Sequence, residues 1–113
     1  MSKISTYQDK IAQAAKLLDD GAHKATEVEQ FPAGHFNLAE AYEIQRASIA
    51  HRIERGEKMV GIKLGFTSRA KMIQMGVDSL IWGLLTDQML EEESAVVNLK
   101  RYIHPRVEPE VCF

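Results

Sequence analysis

Met59-Val60-Gly61-Ile62-Lys63-Leu64-Gly65-Phe66 is the stretch whose reading decides the fold class. Val60, Ile62, Leu64 and Phe66 alternate with Gly61, Lys63 and Gly65, and a period of two is the signature of a strand. Lys63 then stands on the face opposite the apolar set, between two glycines that leave space around it. What precedes this stretch reads as helix, and the strand signals come after it. Helices first and strands later predict an α+β layout rather than an alternating βαβ one.

Toward the N-terminus, Ile4, Ile11, Ala14, Ala15 and Leu18 recur at helical spacing, so a first helix is expected to close near Gly21. His23 to Gly34, with Pro32, reads as a loop. A second helix is predicted to start with Asn37 as N-cap and Glu40 at the third helical position, a capping-box pattern. Leu38, Tyr42, Gln45, Ile49 and Ile53 form its expected inner stripe, and Gly56 is placed to end it. Beyond the strand, Ser68 is a good N-cap for a short helix running to Gly76. Gly83 and Asp87 punctuate a region read as irregular. Glu91 to Ser94 form an acidic turn, and Val96 and Val97 suggest a short strand before His104-Pro105. Met72, Met75 and Met89 read as core fillers. The expectation is one domain over residues 1–113, mainly helical over 1–57 and mixed over 58–113.

The composition narrows the function classes. A length of 113 residues allows at most one domain, and 45% hydrophobic with 27% charged residues is ordinary for a globular chain. A net charge of −2 without a basic stripe gives no electrostatic case for nucleic acid. No apolar run approaches membrane-spanning length, and the polar start does not resemble a signal peptide. Cys112 is the one cysteine, so a disulfide framework and a cysteine zinc site are excluded. A reducing cytoplasm is the compartment expected.

Pro105-Arg106-Val107-Glu108-Pro109-Glu110-Val111-Cys112-Phe113 carries the clearest chemistry. Read as a strand, it projects Glu108 and Glu110 from one face, roughly 6.5–7 Å apart at their bases. Two long carboxylates at that spacing can lean onto one hard cation such as Mg2+ or Mn2+. The bland reading of an E-x-E is a solvated strand face. Val107, Val111 and Phe113 on the other face argue instead for a strand in a packed sheet, and Pro109 limits how it pairs. The sequence stops three residues after Glu110, in mid-strand on this reading.

Lys63 has two readings. It is an edge-strand lysine, or an anion-binding lysine beside the amide-rich start of the Ser68 helix. Arg106 shares the parity of the glutamates and either neutralises them or grips a substrate carboxylate as a planar fork. His104, before a proline, reads as structural or solvent-facing. Cys112 falls on the glutamate side and reads as a packed thiol, since no base pairs with it.

The segments Ala41-Tyr42-Glu43-Ile44-Gln45, Val60 to Ser68, Lys71 to Val77 and His104 to Glu110, taken in order, resemble one family. It is the 2-oxopent-4-enoate hydratase and 4-oxalocrotonate decarboxylase group, within the wider fumarylacetoacetate-hydrolase-like fold. Members are about twice this length, so the chain resembles an N-terminal half. The resemblance implies helices followed by the first strands of a mixed β-roll, truncated here. It implies Glu108 and Glu110 as the first two ligands of Mg2+ or Mn2+, a third carboxylate ligand farther downstream, and Lys63 as the active-site lysine. Beside Lys63 as the expected catalytic residue, Ser68 and Arg106 are the expected substrate-binding residues for a small 2-oxo acid. A homo-oligomer, and a complex with the partner hydratase of the aromatic meta-cleavage pathway, are also implied.

Two activities divide the family. A decarboxylase takes CO2 from 4-oxalocrotonate, and the electrons run through the conjugated chain to a 2-oxo group polarised by the cation. A hydratase protonates and hydrates 2-hydroxypenta-2,4-dienoate, and so needs a positioned acid–base group. Hydratases of the family place an aspartate two residues before the glycine that is Gly83 here, where this chain has Ile81. The decarboxylase branch is apolar there, and residues 71–77 resemble it more closely. Asp78 does not align with the absent acid, and Leu80 replaces a proline usual in both branches. The expectation is therefore decarboxylase, with hydratase as the alternative. From another class, two glutamates alone leave a cation mostly to water, and an open strand edge invites self-association. The third expectation is accordingly a catalytically inert fragment.

Overall fold

A computed structural model describes residues 6–76 and 78–113. Ile4, assigned above to the first helix, lies outside them, as does Val77. The elements run α1 (Tyr7–His23), α2 (Leu38–Glu54), β1 (Met59–Gly65), α3 (Arg69–Met75) and β2 (Ile81–Thr86), with 3-10 turns at Asp87–Met89 and Leu99–Arg101. Helix precedes strand, as the helical spacing before Met59 and the alternation from Met59 to Phe66 predict.

Both long helices begin with a reciprocal cap. Thr6 Oγ1 accepts from Asp9 N–H while Thr6 N–H donates to the Asp9 carboxylate, each at 3.1 Å. Asn37 and Glu40 repeat the arrangement at 2.8 and 3.0 Å, as the sequence predicted. These bonds satisfy amides that the first helical turn leaves without partners. Gly56, at φ +99°, takes the left-handed conformation that ends α2.

α1 and α2 pack on Ile11, Ala14, Ala15 and Ile44, with Phe31, Phe36 and Ala47 against them. The predicted inner stripe of α2 needs correction, because Ile44 and Ala47 face α1 while Leu38 and Ile53 are exposed. Tyr42 and Gln45 turn toward β2 instead. Behind the core, Arg55 forms a two-pronged ion pair with the buried Asp19, at 2.6 and 2.8 Å. Arg52 and Thr86 both donate to Glu57 Oε1, at 3.0 and 2.6 Å, tying the end of α2 to the end of β2. The loop after α1 folds back so closely that a Cβ on Gly21 would collide with Val28.

β1 and β2 form an antiparallel pair with Lys63 opposite Gly83 and Gly65 opposite Ile81, and a bulge at Val60. β2 is a strand that the sequence reading missed by treating Gly83 as punctuation. Its far edge is closed by a helix rather than by a third strand. Gln45 Nε2 donates to Trp82 O at 3.1 Å, and Gln45 Oε1 accepts from Leu84 N–H at 2.6 Å. The amide side chain thus imitates a neighbouring strand. Trp82 N–H donates to the Tyr42 hydroxyl at 3.3 Å, and the two rings stack at 4.5 Å.

Three further expectations are corrected. Residues 95–98 form no strand, and Val96 is exposed. Pro105 to Phe113 is not a strand either, and Val107, Val111 and Phe113 face solvent rather than a packed sheet. A strand needs a hydrogen-bonded neighbour, and among the described residues none lies beside this segment. Met75 and Met89 are exposed, because α3 buries no residue and residues 87–89 sit at the surface.

Candidate metal and anion site

Two segments bring Lys63, Glu108 and Glu110 together. Lys63 lies in the middle of β1, where its partner Gly83 has no side chain to obstruct it. The Pro105–Phe113 segment passes back across the pair. Two non-glycine residues with left-handed φ mark the turns that make this possible, Phe66 at +53° just after β1 and His104 at +48° before Pro105. Lys63 Nζ reaches Glu110 Oε1 at 2.5 Å and Glu108 Oε2 at 3.6 Å.

The carboxylates therefore converge on one point although their segment is not a strand. Donation from Lys63 holds the Glu110 carboxyl below the usual carboxylate range, and the same bond raises the Lys63 ammonium. All three side chains are about half exposed or more, so water screens the attraction. Their value lies in geometry rather than in stability. One cationic group already touches both glutamates. The pair's all-oxygen donor set is of the kind that hard cations such as Mg2+ or Mn2+ take. Among the described residues no cluster of three or more His, Cys, Asp or Glu is placed to hold a metal. The pair is the whole acidic contribution of this segment.

The remaining site expectations divide. Ser68 caps α3, its hydroxyl accepting from Lys71 N–H at 3.1 Å. Arg106 is exposed and makes no side-chain hydrogen bond or ion pair among the described residues. Cys112 is exposed rather than packed. His104 lies 3.4 Å from Glu27 at the surface, as a solvent-facing residue would.

Ile81 is placed informatively. It pairs with Gly65, two residues along from Lys63, and cross-strand partners share a face. An apolar side chain thus flanks Lys63 on its own face of the hairpin, and it would touch a Cβ on Gly65 at 3.0 Å. Sequence reasoning also missed what Tyr42 and Gln45 do. Both lie in the Ala41–Gln45 segment, but nothing in a helical periodicity shows that a glutamine will hydrogen-bond a strand edge. A cleft of about 630 Å3 elsewhere, lined by Lys24, Arg52, Glu57 and Lys100 among others, does not include these site residues.

No family model matches the chain. It is 52% identical over 105 residues to a 4-oxalocrotonate decarboxylase of a Pseudomonas species, covering 92% of this chain and 41% of that protein. A second 4-oxalocrotonate decarboxylase, from Pseudomonas putida, is 41% identical over 87% of this chain and 36% of its own length. Hydratases match at lower identity, between 29% and 37%. The solved 4-oxalocrotonate decarboxylase of Pseudomonas putida G7, complexed with calcium and acetate, superposes with a TM-score of 0.82 at 28% identity. That superposition covers 90% of this chain and 40% of the solved one. The same enzyme has also been solved with magnesium and adipate. The chain spans about two fifths of the length of these relatives.

Proposed function

We propose, from a chain homologous to one part of the 4-oxalocrotonate decarboxylases and less closely of the hydratases, that the whole protein is a divalent-metal-dependent decarboxylase. Its substrate would be 4-oxalocrotonate, and its product 2-hydroxypenta-2,4-dienoate, in cytoplasmic breakdown of aromatic compounds. The observation that carries this reading is the convergence of Glu108 and Glu110 on one cation, within a chain 52% identical to a named decarboxylase.

On this reading Glu108 and Glu110 hold Mg2+ or Mn2+, with the remaining ligands from elsewhere in the protein. When bound, the cation supplies Lewis acidity to the substrate's 2-oxo group. Lys63 offers an ammonium to the substrate carboxylate or to the developing enolate. Arg106, without a partner of its own here, is available as a two-pronged clamp on the second carboxylate. Ser68 places the turn after β1 and could donate its hydroxyl to the substrate. Ile81 puts an apolar side chain beside Lys63, where a hydratase requires an acid–base group. The finer fold reading is a fumarylacetoacetate-hydrolase-like β-roll that begins with β1 and β2. A homo-oligomer and a complex with the partner hydratase belong to the same proposal.

The alternative is the hydratase, to which the less similar relatives belong by name. Absorbance-monitored turnover of 4-oxalocrotonate by the whole protein, with Mg2+ and then with EDTA, separates the two. Metal-dependent loss of substrate with CO2 release is expected. Consumption of 2-hydroxypenta-2,4-dienoate alone would overturn the decarboxylase reading and the weight given to Ile81.

A further inference from the structure

From the contacts of Lys63 we infer that its ammonium is the resident cation of the Glu108–Glu110 pair, and that a divalent ion binds there by exchange with it. Loading the metal then releases Lys63 toward the substrate's carboxylate. The inference rests on the metal reading above and deepens it.

Lys63 Nζ sits 2.5 Å from one carboxylate and 3.6 Å from the other, within ion-pair reach of both and in the space between them and β1. An ammonium and a divalent ion cannot occupy that point together. Two carboxylates facing each other without a cation would repel, so the lysine keeps the pair assembled when no metal is bound. The lysine can also leave readily. It is half exposed and stands opposite Gly83, which has no side chain to hold its stem in place. Once displaced, its charge lies beside the site with no carboxylate of its own, and an incoming anion can take it. Metal and anionic substrate are thereby coupled in order, metal first. By thermodynamic reciprocity, anything that engages Lys63 elsewhere strengthens the metal.

Calorimetric titration of the whole protein with Mn2+ tests the exchange without relying on turnover. Lys63→Met is expected to bind Mn2+ about three- to tenfold more tightly than the natural protein, the range of a modest coupling between sites. Glu110→Gln should lose most of the binding in either background. A second readout separates contact from simple charge repulsion. As diamagnetic Mg2+ saturates, the Lys63 ε-methylene resonances should move to the position they hold in the Glu108→Gln/Glu110→Gln double variant. Mn2+ binding that is unchanged or weaker in Lys63→Met, or Mg2+ binding that leaves those resonances in place, overturns the exchange while the metal site stands. Binding that Glu110→Gln does not diminish overturns the metal site itself, and the exchange with it.

Discussion

The helical region and the region that follows it are built on opposite terms. Over residues 6–58 the backbone ends are capped, four apolar side chains form a closed core, and the buried Asp19 is matched by Arg55. Over residues 59–113, Val60, Ile62 and Leu64 are more than half exposed, α3 buries nothing, and the acidic segment is anchored through Lys63. The first region uses its polar groups to hold a shape. The second leaves Lys63, Glu108 and Glu110 about half exposed or more. Gln45 and Tyr42 join the two, because a helix of the first region closes the strand edge on which the second depends.

That division can be broken at its strongest point. Arg55→Ala would leave the Asp19 carboxylate buried without its partner, and one-sided loss of such a pair is costly. With Arg55 one-third exposed, a loss of about 2–4 kcal/mol is expected, read as a fall in urea midpoint. Acid acts on the same pair. The hydrogen bonds from Arg55 hold the Asp19 carboxyl below its ordinary range. Its contribution is therefore complete above the unfolded carboxyl's pKa and is lost as pH falls through the lower folded value. Urea midpoints measured between neutral and strongly acid pH should drop in the natural protein, and the drop should shrink in Asp19→Asn.

The junction gives a smaller effect. Gln45→Ala removes both hydrogen bonds to the β2 edge, at a cost of about 1–2 kcal/mol. Amide exchange at Leu84 should accelerate by more than exchange within α1, which would confirm that the glutamine serves the hairpin. Asn37→Ala removes one cap and should cost about 1 kcal/mol, seen as lower thermal stability with the site unaffected.

How far the sequence revealed these two regions follows the same divide. The Asn37–Glu40 cap, the Gly56 stop and the strand at Val60 to Leu64 were legible because each depends on neighbours within a few residues. The α2 stripe was misassigned because that helix serves two partners, and periodicity assumes one. β2 was missed because Ile81-Trp82-Gly83-Leu84-Leu85-Thr86 alternates poorly, and its strand character comes from pairing with β1 and from Gln45. The Glu108–Glu110 pair was singled out as one face of a strand, and its segment is not a strand. The two carboxylates meet because Lys63 draws them together, a contact across 47 residues that no local spacing displays.

The central claim is that the chemistry belongs to the open region and is separable from the stability of the closed one. Mg2+-dependent turnover of 4-oxalocrotonate and thermal stability, measured side by side on the whole protein and its Glu110→Gln variant, test it most directly. The account predicts a rate lower by at least about a hundredfold, as for loss of a group that holds the metal, with an unchanged melting temperature. A variant that keeps the natural metal-dependent rate would contradict it.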